Sequence, residues 1–139
     1  MTPPRGGFIE IKERVRYSEV DQMGVAHNKN YFEWFEIGRT EFCRQKNIPY
    51  KEIEARGFYL VVAEAFCRYK KPLHYDEQFL IRVSLKEMTA KKAVFNYELL
   101  TMGGKKLIAT GYTVHIVTNS KAEVSMLSDD ILDRIKINR

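Results

Sequence analysis

Residues 20–42 read VDQMGVAHNKNYFEWFEIGRTEF, which places a lone carboxylate, Asp21, and an imidazole, His27, just ahead of a strongly aromatic helical stretch. A carboxylate there has two uses at a carbonyl: it can attack the carbon as a nucleophile, or take the proton from an attacking water. Either route builds negative charge on the carbonyl oxygen. The first turn of a helix offers unpaired backbone N–H groups and a partial positive charge to receive it. The N–H groups of Asn28 to Tyr31 are the candidates. Asp followed by Gly is also ordinary turn chemistry, so the carboxylate alone does not establish a reaction. Gly24 is read as a loop position that needs positive φ. His27 is read as a pocket-lining or hydrogen-bonding residue rather than a proton carrier.

The elements that must position these groups follow from periodicity. Residues 8–17 alternate as a first strand, with Ile9 and Ile11 set against Glu10 and Lys12. Residues 30–46 form the helix, because Tyr31, Trp34, Phe35, Gly38 and Phe42 recur at i, i+3, i+4 and i+7. Asn30 with Glu33 matches a capping box, and Asn28 is a competing N-cap. Trp34 and Phe35 belong to the core, whereas Tyr31, nearest the loop, can line either core or site. Residues 47–57 read as a short helix and a turn. The period then drops to two: Phe79, Ile81, Val83 and Leu85 face one way, Arg82, Ser84 and Lys86 the other. Segments 58–70, 77–88, 92–102 and 105–118 are strands, with Gly103-Gly104 as a hairpin turn. Residues 128–137 read as a short terminal helix. One long aromatic helix followed by antiparallel strands has only the sheet to bury it, so the expected fold is a single α+β domain over 1–139, a central helix wrapped by a largely antiparallel sheet.

Composition limits the function classes. No run is long and apolar enough for a membrane span, and the opening MTPPRGGFIEIKER lacks the apolar core of a signal peptide, so a cytoplasmic protein is expected. Cys43 and Cys67 show no CxxC or Cys/His grouping, which argues for two buried thiols and against a metal site. The net charge of +5 favours an anionic partner: nucleic acid, an acidic membrane surface or a phosphate-bearing small molecule. The basic residues are spread along the chain, which weakens the nucleic-acid reading.

The motifs resemble the 4-hydroxybenzoyl-CoA thioesterase-like branch of the hotdog-fold acyl-CoA thioesterases. The matching positions are Asp21 after the first strand, Gly24 three residues on, Tyr31 ten residues on, and Glu36 with Arg39 on the helix. A second block, YKKPLHYDEQFLIRV, supplies the family's Pro72 and Asp76. Relatives often carry an aromatic where this chain has His27 and a histidine where it has Asn28. The resemblance implies a hotdog fold and an acyl-CoA thioesterase. Asp21 would be nucleophile or general base and the Asn28 N–H the oxyanion donor, with no metal or redox cofactor. It also implies Lys91 and Lys92 as partners of the coenzyme A phosphates, and homodimers or homotetramers with sites at the dimer interface. The Glu36–Arg39 pair reads as an ordinary intrahelical ion pair. Glu64 faces either site or solvent, and His74 and His115 receive no role. The rivals are a non-catalytic acyl-CoA or acyl-carrier-protein binding module and a nucleic-acid-binding protein.

Overall fold

A computed structural model describes residues 7–47 and 50–138. Five strands, β1 (Ile9–Arg14), β2 (Tyr59–Tyr69), β3 (Gln78–Met88), β4 (Lys92–Thr101) and β5 (Leu107–Thr118), make one antiparallel sheet in the order β1-β3-β4-β5-β2. The helices are α1 (Lys29–Gln45), α2 (Tyr50–Ala55) and α3 (Asp129–Asn138). The expected α+β architecture is present.

Helix α1 lies on the inward face of the sheet, and its aromatic stripe explains why. Trp34, Phe35 and Phe42 are fully buried, each burial contributing roughly 1.5–3 kcal/mol. Trp34 packs at 4.7 Å on Phe79, and Phe35 stacks at 4.2 Å on Tyr97. The approach is close enough to require glycine at two points. A Cβ on Gly38 would sit 2.9 Å from Ile81 Cγ2, and one on Gly111 would meet the Phe66 carbonyl and the Phe35 ring. The Gly103-Gly104 turn joins β4 to β5 with φ values of +89° and +71°, as the sequence pattern predicts.

Two boundaries differ from expectation. The first strand stops at Arg14, because the Glu19 carboxylate accepts the Arg16 N–H at 2.7 Å and turns the chain into a 3-10 turn, Tyr17–Glu19. Helix α1 starts at Lys29 with Asn28 as N-cap, and the Asn30–Glu33 capping box does not form. Asn30 is buried, and its amide must find its partners in the preceding loop rather than at the helix end. Cys67 is half-buried rather than buried, since β2 is an edge strand.

Helix α3 closes one end of the core with Ile131 and Ile135. Arg56 to Asp130, at 2.7 Å, and Arg134 to Glu52 tie α2 to α3. Helix α1 stops short of membrane-spanning requirements, as does every described helix.

Candidate functional site

The Asp21 loop is held almost entirely by backbone hydrogen bonds. Asp21 Oδ1 accepts the N–H groups of Met23 at 2.9 Å and Val25 at 3.0 Å. Its own N–H donates to the Val25 carbonyl at 2.9 Å, and its carbonyl accepts the Gly24 N–H at 3.0 Å. That tight reversal needs the φ of +77° found at Gly24, as the sequence leads one to expect. Val20 bridges Ala26, and Val25 bridges His74. The Tyr75 N–H reaches the Gly24 carbonyl at 2.9 Å, and the Ala26 N–H reaches the Leu73 carbonyl at 2.8 Å. The loop is therefore stitched to the connection between β2 and β3.

This setting keeps Asp21 ionised. The Val25 N–H, then the Met23 N–H and the nearby His27 ring, hold the carboxyl below its ordinary range despite some desolvation. Asp21 is exposed, and its Oδ2 accepts none of the hydrogen bonds found among the described residues. One oxygen anchors the turn and the other is available for chemistry.

The helix end narrows the choice of oxyanion donor. The N–H groups of His27, Asn30 and Tyr31 are occupied, by the carbonyls of Glu19 at 2.9 Å, His27 at 3.1 Å and Asn28 at 3.2 Å. The Asn28 N–H, like that of Lys29, takes part in none of the hydrogen bonds among the described residues. It lies at the positive end of α1, whose dipole favours an anion there. The Asn28 carbonyl accepts the Tyr69 hydroxyl at 3.4 Å, and Tyr69 meets Tyr31 edge-on at 4.8 Å. Tyr31 is buried and wedged between Trp34 and Tyr69, so it forms the apolar wall beneath this end. His27 is exposed and beside Asp21.

Sequence reasoning missed the residue that joins the loop to the helix. Glu19 is buried; its Oε2 accepts the Trp34 indole N–H at 3.1 Å while Oε1 holds Arg16. Its backbone carbonyl accepts both the Asn30 amide at 2.7 Å and the His27 N–H at 2.9 Å. Asn30 also donates to the His27 carbonyl at 3.1 Å. The only signal was a carboxylate two residues before Asp21, which periodicity treats as a surface residue.

The lysines are elsewhere. Lys91 and Lys92 follow the far end of the 11-residue β3, whose near end adjoins the Asp21 loop, so along the strand they lie about 35 Å away in the same chain. Lys91 is exposed, and Lys92 pairs with Glu87 at 3.5 Å. At that same end the C-terminal half of α1, α2 and strands β2, β4 and β5 line an open cavity of about 770 Å³ that includes Arg39, Cys43, Leu60, Phe95 and His115. His115, which received no role, is buried, with Nε2 2.9 Å from Thr113 Oγ1, and burial pushes its pKa down to about 4. The expected Glu36–Arg39 ion pair is not among those of the described residues; Arg39 turns inward beside the Tyr97 hydroxyl. Glu64 lies on the outward face, accepting the Tyr112 hydroxyl at 2.9 Å, and His74 pairs with Glu77 at 3.5 Å. Among the described residues no grouping of three His, Cys, Asp or Glu is placed to hold a metal.

Comparison with known proteins identifies the family and the fold. The family model described as the thioesterase-like superfamily matches residues 15–135. A protein of Aquifex aeolicus (strain VF5), provisionally named an esterase, is 32% identical over 125 residues, covering 90% of this chain and 95% of its own. A Bacillus subtilis (strain 168) protein, provisionally named acyl-CoA thioesterase YneP, is 34% identical over 91 residues, 66% of each chain. The crystal structure of the hypothetical protein AQ1494 from Aquifex aeolicus superposes with a TM-score of 0.80 at 30% identity, over 91% of this chain and 98% of that one. The DHNA-CoA thioesterase of Staphylococcus aureus shares the fold, with a TM-score of 0.82 at 23% identity over 94% and 91% of the two chains.

Proposed function

The chain belongs to the thioesterase-like superfamily, with the hotdog fold, and from that membership we propose that it hydrolyses acyl-CoA thioesters at the loop preceding α1. The observation that carries this reading is the pairing, within one eight-residue loop, of an ionised Asp21 that keeps an uncommitted oxygen and an Asn28 N–H that keeps an uncommitted proton. A thioester carbonyl receiving the Asn28 N–H is polarised toward attack, and the helix end stabilises the tetrahedral oxyanion. Asp21 then either attacks, forming an acyl-aspartyl anhydride and releasing the CoA thiolate before water regenerates the acid, or it deprotonates the water that attacks directly. Both routes yield a free carboxylic acid and CoA, and neither calls for a cofactor.

Assembly into a dimer would bridge the separation between Asp21 and the two lysines. Strand β2 is an edge strand bearing Val61, Val62, Phe66 and Tyr69 exposed, a surface that a monomer leaves open to self-association. It runs from Leu60 at the cavity to Tyr69 at Asn28. Antiparallel pairing of β2 with a second copy about a two-fold axis sets the Asp21 end of one chain beside the Lys91–Lys92 end of the other. The lysines would then meet the nucleotide phosphates of CoA bound at the neighbouring site. Sedimentation at micromolar concentration should show a dimer or tetramer; a monomer only would refute this assembly.

The test of the function is a panel of short, medium, long and aromatic acyl-CoAs, read as liberated thiol. Turnover of at least one class is expected. No hydrolysis anywhere on the panel, together with saturable acyl-CoA binding, would make the protein a binding module.

A further inference from the structure

The two groups placed at the thioester carbonyl differ in how they are aimed. Asp21 is anchored by its own Oδ1, which accepts the Met23 and Val25 N–H groups. The Asn28 N–H belongs to the peptide that joins His27 to Asn28, and it points only where that plane points. In a trans peptide the C=O and the N–H lie in opposite directions, so whatever holds the His27 carbonyl also directs the Asn28 N–H. Two donors hold it, and both come from Asn30: the backbone N–H at 3.1 Å and the side-chain Nδ2 at 3.1 Å.

Asn30 suits this task by position and by chemistry. His27, Asn28 and Lys29 are exposed, whereas Asn30 is 3% exposed. Its Nδ2 also donates to the Glu19 carbonyl at 2.7 Å, the same oxygen that accepts the His27 N–H at 2.9 Å. Trp34, one turn further along the same face of α1, donates to the Glu19 carboxylate at 3.1 Å, so the anchor is itself fixed from the helix. Both partners of Nδ2 are carbonyl oxygens, so the amide nitrogen and not the amide oxygen must face them. A primary amide offers two N–H donors without taking a charge out of water; a hydroxyl offers one, and an ionised carboxylate none. The next peptide is held independently, since the Asn28 carbonyl accepts the Tyr31 N–H at 3.2 Å and the Tyr69 hydroxyl at 3.4 Å.

We propose that Asn30 is a positioning residue for the oxyanion donor: its side-chain amide ties the His27 carbonyl to the Glu19 carbonyl and so keeps the Asn28 N–H directed at an incoming thioester oxygen. It acts through that peptide and not on the substrate. A hydrogen bond weakens steeply below about 120°, so a peptide plane free to rock spends part of its time unable to stabilise the oxyanion. The consequence for hydrolysis rests on the function proposed above, whereas the clamp on the peptide does not.

Three measurements test it. In the unmodified protein both Asn30 Nδ2 protons should exchange slowly with solvent, which nuclear magnetic resonance reads without any variant. In Asn30→Ala, kcat per folded molecule should fall roughly 10- to 10²-fold, less than the outright loss of an oxyanion donor, with KM for the same acyl-CoA changed by no more than about threefold. Asn30→Asp, of the same size but with acceptors facing two carbonyls, should fall at least as far. Gly103→Ala, strained at its φ of +89° in the β4–β5 turn, should lower the thermal midpoint and leave kcat per folded molecule unchanged, which separates lost orientation from lost stability. In Asp21→Asn, the infrared carbonyl stretch of bound, isotope-labelled octanoyl-CoA or benzoyl-CoA should be lowered by the Asn28 N–H, and adding Asn30→Ala should remove most of that lowering. Fast exchange of the Nδ2 protons, unchanged kcat in folded Asn30→Ala, or an undiminished carbonyl shift would each overturn the proposal. Full turnover in Asn30→Ala would leave the hydrolase in place and remove the clamp. A carbonyl shift that depends on Asn30, in a protein that hydrolyses no acyl-CoA, would keep the clamp and remove only the proposed reaction.

Discussion

At its N-terminal end α1 meets a loop held from three directions by hydrogen bonds, most of them from the backbone, while its C-terminal end faces a cavity walled by side chains. The Asp21 loop is tied to itself, to the connection before β3 and to α1 through Glu19 and Asn30. The cavity end is lined by long charged residues on α1 and α2, several of them exposed. Under the proposed reaction the two ends would meet different demands. Stabilising a transition-state charge requires dipoles already in place, which backbone amides provide at no reorganisation cost. Holding ligands that vary in shape is served by an apolar wall and a few convergent polar groups.

The largest expected effect lies at the fixed end. Asp21→Asn retains the oxygen that accepts the Met23 and Val25 N–H groups, so the loop should persist. Its kcat should fall by roughly 10²–10⁴, with acyl-CoA affinity and thermal midpoint near those of the unmodified protein. Near-normal kcat in the folded variant would return Asp21 to the status of a turn residue.

Loosening the fixed end should cost somewhat less. Glu19→Ala leaves the part-buried Arg16 N–H and the buried Trp34 indole N–H without their acceptor, at about 1–3 kcal/mol for the buried indole. A thermal midpoint lower by several degrees and a reduced kcat with little change in KM are expected, because the loop loses its register on α1. If kcat per folded molecule is unchanged, Glu19 supports the fold and not the site.

At the cavity end the expected effect depends on pH. His115 has its pKa lowered from 6.5 to about 4 in the folded chain, so between those values the unfolded chain binds more protons. Its contribution to stability is therefore present above pH 6.5 and is lost as pH falls toward 4, by at most about 3 kcal/mol. Thermal midpoints between pH 7 and 4.5 should drop, and His115→Gln should flatten that slope. An equal slope in the variant would assign the acid sensitivity to other groups.

The smallest effect belongs to exposed charge. Reversal of Lys91 and Lys92 should raise KM for acyl-CoA several-fold, about 1 kcal/mol or less per exposed contact, and should hardly affect a truncated thioester lacking the nucleotide. Equal losses with both substrates would mean that the lysines do not meet the phosphates.

The helix, the strands and the glycine turn were legible in the sequence because they rest on local periodicity. The i, i+3, i+4 spacing of Tyr31, Trp34, Phe35 and Phe42 and the alternation of Phe79, Ile81, Val83 and Leu85 each specify one buried face, and the observed burial follows them. The Asp21–Gly24 turn was readable for a similar reason, as its hydrogen bonds close within five residues. The motif around it also indicated the family. Glu19, Asn30, Arg39 and His115 were misread or passed over, because their meaning depends on partners far away or on a different element: Trp34 for Glu19, a loop carbonyl for Asn30, Tyr97 for Arg39, Thr113 and a desolvated wall for His115. A carboxylate or guanidinium in sequence defaults to the surface, and only tertiary packing decides which one is taken out of water. The sequence by itself determined which faces must be buried, since hydrophobic period is a local property. Tertiary structure alone decided that Asp21 and Lys91 lie at opposite ends of one sheet, since strand order and direction bring together residues that no local spacing relates.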